Sequence, residues 1–419
     1  MYRQITCIIL IMLVSVLISS LSSSIHITYS EFTNTCTLIL SPGNFTTGIK
    51  EAPNGSIVCL LPDLYFVNGS LDIANKTLTL LGLGVNPSSV RIIFTNGSLK
   101  LAPSENDTVI IRNLSVETLT SDPAIQIYWS GKKGVRYDIG SVLLDNLLVN
   151  ATQAIATSVQ VGPDVKLKSF ELRNSVIMAG EIGVQIGPNS TVTGVIVVKN
   201  NTILAGEIGI QVGPSTQVAE YLEISRNNIT ADIIGVQIGP PTGSSQAPPS
   251  IGRLLVVRNN ITSNSSNVLE IRSIIRDYAQ IYLNTFMGNG SKVSLNIDTN
   301  LIPLDKILFN TPNKVTYFYN GRVFNNYLGN YFIDWTMPDN DVDGIVYYPR
   351  NITSEYKDNY PLADPSILSY LEQPWFVGPS EEIRVVMGGG VLVDLELESY
   401  ILLVLGAFLF IITKLFKVF

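Results

Sequence analysis

Between residues 112 and 297, apolar and polar positions alternate in short bursts that return in a fixed order. Runs of aliphatic and β-branched residues, such as Val195-Ile196-Val197-Val198 and Leu254-Leu255-Val256-Val257, are separated by Gly, Pro, Asn and Ser. Runs this short, bounded by turn formers, predict strands. No repeat holds a helical pattern of even about ten residues, which excludes helical arrays and strand-plus-helix horseshoes.

Two phrases mark the period. A basic residue followed by asparagine opens each pass, at Arg112-Asn113, Arg173-Asn174, Lys199-Asn200, Arg226-Asn227 and Arg258-Asn259, with Asp145-Asn146 and Leu283-Asn284 as variant copies. Downstream comes apolar-Gln-apolar, closed by Gly-Pro at 159–163, 184–188, 210–214 and 236–240. Lesser copies are Ile125-Gln126-Ile127, Leu269-Glu270-Ile271 and Leu295-Asn296-Ile297. The shared period is about 26 residues, stretched to about 33 by loop insertions. It predicts an all-β fold, a single-stranded parallel β-helix in which each repeat makes one coil and stacks on the next about 4.8 Å away.

Side-chain direction follows from the alternation. Ile182, Val184 and Ile186 share one face, read as inward, and Gln185 takes the other. Gln126, Gln160, Gln185, Gln211 and Gln237 then stack as an outer amide ladder that can bond to itself or to sugar hydroxyls. The Asn phrase is expected at a bend, because Asn tolerates left-handed backbone. Its direction stays open, since the flanking apolar residues change parity between copies.

Two segments carry a resemblance. Ala52-Pro53-Asn54-Gly55-Ser56-Ile57-Val58, Leu61-Pro62-Asp63-Leu64-Tyr65 and Asn75-Lys76-Thr77-Leu78-Thr79-Leu80-Leu81-Gly82 resemble the first coils of the pectin-lyase-like right-handed β-helix superfamily, with Cys59 and Asp63 departing from the commonest wording. Gly329-Asn330-Tyr331-Phe332-Ile333-Asp334-Trp335, Asp339-Asn340-Asp341-Val342-Asp343-Gly344-Ile345 and Asp358-Asn359-Tyr360-Pro361-Leu362 resemble the closing segment of NosD-like envelope β-helix proteins. The resemblance implies right-handedness and a fold that hosts lyases, hydrolases and esterases. Copper delivery, which the NosD name suggests, needs soft or imidazole ligands. With one His, six Met and three Cys in the chain, no copper is expected.

The flanks suggest export. Residues 1–28 carry Arg3, an apolar run from Ile8 to Ile18 and a Ser-rich stretch, as a secretory signal does, with an uncleaved anchor as the alternative. The β-helix is expected over 29–330, an acidic closing segment over 331–365 and a β hairpin or stalk over 366–398. Residues 399–419, apolar except for Lys414 and Lys417, would reach roughly 30 Å as a helix and form a C-terminal transmembrane anchor. The flanking charges place a short tail in the cytoplasm and the body outside the plasma membrane. Cys36 and Cys59 are about one coil apart and are expected to form a disulfide after export. Candidate glycosylation sites are Asn44, Asn54, Asn68, Asn75, Asn96, Asn106, Asn150, Asn189, Asn228, Asn260, Asn264, Asn289 and Asn351. Asn113 and Asn200 also begin such triplets, but as ladder residues they are expected to be enclosed. A net charge of -7 with 15% charged residues gives no basic footprint for nucleic acid.

Candidate chemistry is sparse. Asp339, Asp341 and Asp343 before Gly344 follow the alternation of a calcium loop, but Arg350 stands where a bidentate Glu would close it. A Ca2+ ion there needs Asp334 or Asp358 as well; otherwise this is a solvated acidic turn. Polysaccharide cleavage needs acids around one bond. Glu270, the one acid on the Gln ladder, and Asp277 are the candidates, with Arg272 and Arg276 beside them. Glu181 and Glu207 share a repeat position and are read as solvated acids at a bend. The expected protein is therefore a membrane-anchored, glycosylated cell-surface β-helix with a structural, adhesive or carbohydrate-binding role. Its partners would be the membrane, surface polysaccharide or other envelope proteins. The rival is a polysaccharide-active lyase or hydrolase.

Overall fold

A computed structural model describes residues 35–128, 138–241, 243–265, 267–289, 292–298, 303–335, 337–369 and 371. The chain divides into 1–376 and 377–419, and the second unit lies outside the described residues. So do the expected signal at 1–28, the span at 399–419 and nearly all of 366–398. Among the described residues, no helix is long and apolar enough to cross a membrane.

The aliphatic runs form strands, each hydrogen-bonded in parallel to its copy on the next coil, and build a parallel β-solenoid of about nine turns. Three main ladders result. The first sheet runs through Ser56–Leu60, Leu78–Gly82, the first part of Thr108–Thr118, Val195–Lys199 and Ser250–Val257. The second includes Asp63–Asn68, Val90–Asn96, Val176–Ala179 and Thr202–Ala205. The third carries the glutamine phrase, in Ile125–Ile127, Val159–Val161, Ile182–Ile186, Ile208–Val212 and Ile234–Ile238. Between the third and first sheets a short fourth ladder pairs Thr191–Val192 with its neighbours.

Inward positions of all these ladders merge into one core. Val184, Ile210, Val236 and Leu269 form one of its columns, each fully buried. At the corner before the third sheet, Gly180 and Gly206 sit so close to the coil below that a Cβ would overlap backbone of Gln153 and Gly180. Glycine is thus what lets the coils close there.

The basic-Asn phrase is two ladders, with a register change between them. Strand pairing aligns Lys199 with Ser225, and Ser225 with Val257 and then Tyr282. Arg226 therefore stands opposite Asn200, not opposite Lys199. The left-handed corner residue is Asn at 113, 146, 174 and 200, and then Arg226, Arg258 and Leu283, all with φ between 51° and 57°. The residue after it points inward and is buried at Ser175, Asn201, Asn227, Asn259 and Asn284, and buried Asn330 continues the row after Gly329. This shift is why the flanking parity changes between copies.

The inner asparagines satisfy backbone groups that the corner would otherwise strand. Oδ1 of Asn227, Asn259, Asn284 and Asn330 each accepts the backbone N–H of the ladder residue one coil before, at 2.9–3.1 Å. Each Nδ2 donates back to a first-sheet carbonyl, as Asn227 does to Val198 at 2.8 Å and Asn259 to Ile224 at 2.8 Å. The row ends on Asp358, wholly buried, whose Oδ2 accepts N–H of Asn330 at 2.7 Å and its Nδ2 at 3.0 Å. Oδ1 of Asp358 accepts the N–H of Tyr360 at 3.0 Å. Gly329 leaves room for that carboxylate, because a Cβ there would overlap it.

Both ends of the core are covered, which open β-solenoids require. A short helix, Phe45–Glu51, buries Phe45 and Ile49 over the first coils, and Phe45 meets the Tyr65 ring edge-on at 5.0 Å. Lys76 Nζ binds the carbonyls of Ile49, Lys50 and Ala52 at 2.8–3.1 Å, neutralising the end of that helix. A disulfide joins Cys36 to Cys59, with Cα atoms 5.8 Å apart. Late in the chain, the hairpin of Val315–Tyr319 with Arg322–Asn326 and the residues after it fold over the outer side of the first sheet. There Tyr317, Leu328, Ile345, Leu362 and Ile367 cluster with Val195, Val197, Tyr221, Leu255 and Tyr282.

Two outcomes test the ladder. Asn259→Ala strands the Asn227 N–H and the Ile224 carbonyl in the core and should cost about 2–4 kcal/mol, whereas Asn200→Ala, at an exposed corner, should cost about 1. Urea unfolding midpoints of the two variants should separate clearly; equal losses would contradict the buried-ladder account. For Asp358, burial raises the pKa from 3.8 to about 7, against the lowering effect of the Asn330 and Tyr360 N–H groups. The folded state then holds a proton that the unfolded state has released between about pH 4 and pH 7, so this group favours folding below pH 4 and that advantage is lost as pH rises through 7. Melting temperatures of wild type relative to Asp358→Asn should fall across that window.

Candidate functional site

The glutamine ladder is a polar row on the outer side of the third sheet, one side chain per coil. Alternation in the third sheet sends Val and Ile inward, and the same register sends every Gln outward onto the Gln of the next coil. The amides bond head to tail. Nε2 of Gln126 donates to Oε1 of Gln160 at 3.0 Å, and the series continues through Gln185 at 2.6 Å, Gln211 at 2.8 Å and Gln237 at 2.9 Å. Nε2 of Gln237 then reaches Oε2 of Glu270 at 3.3 Å. Each amide spends one N–H along the row, so a second N–H and a second oxygen lone pair remain at every rung.

The surroundings change along the row. Gln126, Gln160, Gln185 and Gln211 are half-buried, while Gln237 and Glu270 are only 3% and 5% exposed. The cause is the loop after Ile238, which rises beside the sheet. Arg272 holds it, donating from Nη1 to the Ser244 carbonyl, at 2.6 Å. A groove of about 500 Å³ results, lined by Gln211, Gln237, Pro241, Glu270, Lys292 and Ser294 among others. It offers amides, an acid, an ammonium and a hydroxyl, donors and acceptors suited to a polyhydroxylated ligand.

The proposed catalytic acids are not together. Glu270 lies in the third sheet, paired with Gln237 and Ser294. Asp277 is exposed at the corner just before the first sheet, where Tyr278 opens the pairing with Arg253. Arg276 is turned to the carbonyls of Val218 at 2.6 Å and Ala219 at 2.9 Å. Arg272 and Arg276 thus act as ties to neighbouring backbone, not as a groove lining around two carboxylates.

Glu181 and Glu207 do come close, at the glycine corner, where backbone N–H of Glu207 donates to the Glu181 carbonyl at 2.9 Å. Burial first, then the nearby Glu207, raises the Glu181 pKa. In the acidic loop, Asp339 accepts the N–H groups of Asp343 and Gly344 at 3.2 and 2.7 Å, and Asp343 accepts that of Ile345 at 2.9 Å. Asp341 is exposed. The two extra ligands proposed for calcium are engaged elsewhere: Asp334 pairs with Arg350, whose guanidinium lies 4.1 Å from the Phe332 ring centre, and Asp358 ends the asparagine ladder. Of the glycosylation candidates, Asn44, Asn54, Asn68, Asn75, Asn96, Asn106, Asn189, Asn228, Asn264, Asn289 and Asn351 are exposed, whereas Asn150 and Asn260 are half-buried. Asn200 is exposed rather than enclosed, because it sits on the outer corner, with Nδ2 bonded to Asn174.

One buried acidic group belongs to neither repeated phrase of the sequence. Glu171 and Glu223 face outward in the first sheet, on either side of Val197, and both are buried. Glu171 pairs with Arg173, and Glu223 accepts the Ser225 hydroxyl at 2.6 Å with Lys199 Nζ 3.6 Å away. Burial raises the Glu171 pKa, only partly offset by Arg173. Burial, and then Glu223, pushes Tyr221 up to about 12. The available signal was an acid at the outward position of Phe170-Glu171-Leu172 and Leu222-Glu223-Ile224, where neighbouring coils carry Val197 and Leu255.

No protein-family profile matches the chain, and no curated protein sequence matches it. Among solved structures it is similar to a chain titled "Geobacillus virus E2 - ORF18", with 13% identity and a TM-score of 0.29. The match covers 76% of this chain and 65% of that one, so this chain spans just under two thirds of its length. A likeness of that degree supports no functional transfer, and what the structure itself establishes is the parallel β-helix.

Proposed function

We propose that this is an exported, membrane-anchored and glycosylated cell-surface protein whose right-handed, pectin-lyase-like β-helix binds a polysaccharide along its glutamine ladder. One observation carries the reading: a row of outward side-chain amides, one per coil, running into the groove at Gln237 and Glu270. A linear polymer laid along the axis meets the same donor and acceptor at each coil. Weak contacts then add through proximity, as multivalent binding does. The apolar runs at the two ends of the sequence and the exposed Asn-X-Ser/Thr triplets support the placement at a cell surface. The enzymatic alternative has less support, since Glu270 lies in the third sheet and Asp277 at the exposed corner before the first.

The test uses the full-length protein on an array of neutral and uronic polysaccharides. Binding of at least one polymer is expected, with affinity falling at least tenfold in the double variant Gln185→Leu/Gln211→Leu while the fold persists. Each lost amide bond should cost only about 1 kcal/mol of stability. No binding on any arm, or binding indifferent to the substitutions, would sink the proposal. Turnover of a bound polymer that disappears in Glu270→Gln would favour the enzyme instead.

A further inference from the structure

The three sheets end differently on the last coil. The second finishes on Tyr331–Phe332, and Leu362 bridges to Tyr331 beyond it. The first finishes on the two residues Ile307–Leu308. The third finishes on a full strand, Lys292–Asp298, which pairs with Asn267–Tyr282 on one side and, among the described residues, with no strand on the other. A strand paired on one side leaves every second N–H and C=O without a ladder partner on its other edge, and such edges are ordinarily kept short or broken by Pro or a bulge. Here seven residues run without Pro or Gly, and the register irregularity falls on the inner strand, between Asn267 and Leu269.

The core side of this strand is also incompletely covered. Val293 and Ile297 are buried, but Leu295, which shares their face, is only half-buried. Apolar surface thus stays open at the middle of an unpaired edge.

The strand's sequence complements its own reverse. Turned end for end about Leu295, it sets Lys292 opposite Asp298, Val293 opposite Ile297, Ser294 opposite Asn296 and Leu295 opposite itself. Residues directly opposite in an antiparallel pair share a face, so the pairs are opposite charges, two β-branched aliphatics, a hydroxyl with an amide, and two leucines. Lys292 and Asp298 lie about 20 Å apart along one strand, too far to answer each other within a chain.

We infer that the occupant of this edge is a second copy of the chain, its Lys292–Asp298 strand paired antiparallel with the first about a two-fold axis through Leu295. The contact is isologous, so it closes at two copies. It joins the two third sheets edge to edge, covers both Leu295 side chains and sets both glutamine rows on one continuous outer face. Dimer formation stands whether or not those rows bind a polymer.

The experiment weighs full-length protein in mild detergent by sedimentation over a concentration series, where a dimer is expected. Lys292→Asp sets like charges opposite each other twice per dimer and should raise the dissociation constant roughly tenfold. Adding Asp298→Lys restores opposite charges and should return it to the wild-type value. That rescue reads only the contact between copies, because the two residues cannot meet within one. Register is read separately: Ser294→Cys/Asn296→Cys should give disulfide-linked dimers under a mild thiol oxidant, whereas Ser294→Cys alone should give few. A monomer at every concentration overturns the inference. So does a dimer indifferent to Lys292→Asp, a dimer that the charge swap fails to restore, or a paired-cysteine variant that stays unlinked.

Discussion

The structure depends on what happens to backbone polar groups at the corner after the first sheet. There the chain turns through a left-handed residue, and the next N–H points along the axis into the core instead of across a strand pair. A buried donor without an acceptor costs about 1–3 kcal/mol. The inner asparagines supply that acceptor coil after coil, from Ser175 to Asp358. In the two coils before them, Leu114 and Leu147 hold the same position, so the polar ladder replaces an apolar one partway along. The change begins at Ser175 and Asn201, on coils whose corner residue is still asparagine. At Asn200-Asn201 the corner residue and the inner residue are both asparagine, and on the next two coils Arg226 and Arg258 take the corner while Asn227 and Asn259 continue the inner row.

That division organises the surface. Polar rows on a β-solenoid repeat at the strand spacing whether or not they bind anything, so repetition alone is weak evidence of function. More informative is where a row changes chemistry. The glutamine row changes at Glu270, beneath a loop held by Arg272. The corner row changes at Arg226, where a tolerant residue gives way to one that the backbone disfavours. Both changes fall on the later coils of the third sheet and of the corner, and both border a concave space. The buried Glu171 and Glu223 mark a third change, on the outer face of the first sheet, near which the closing segment packs.

Closure of the solenoid relies on different physics at each end. At the start, a two-turn helix seals the core and Lys76 answers its carbonyls, while the Cys36–Cys59 disulfide ties down the lead-in. Toward the other end the seal is polar at its centre, since Asp358 receives the last Asn of the ladder, and apolar around it, with Phe286 and Phe332 in contact at 5.3 Å. The acidic residues of the closing segment are thus used in several ways. Asp358 ends a ladder, Asp334 holds Arg350, and Asp339 and Asp343 shape a turn.

By itself the sequence determined the period, the strand type and the outward direction of Gln160, Gln185 and Gln211, because alternation in a strand is a local rule and one slip would bury every glutamine. It also determined that asparagine would sit at a corner. It could not decide which residue of Arg226-Asn227 or Arg258-Asn259 takes that corner, because the two look alike beside Lys199-Asn200 when read as words. Only pairing across coils, Lys199 with Ser225 and Ser225 with Val257, settled it. The roles of Asp358, Glu171 and Arg272 were likewise decided by tertiary contact, since each answers a group 28 residues away or is buried by segments distant in sequence. A carboxylate carries no mark in sequence of whether it will meet water, an ion or a row of amides; burial and partners, which come only with packing, make that choice.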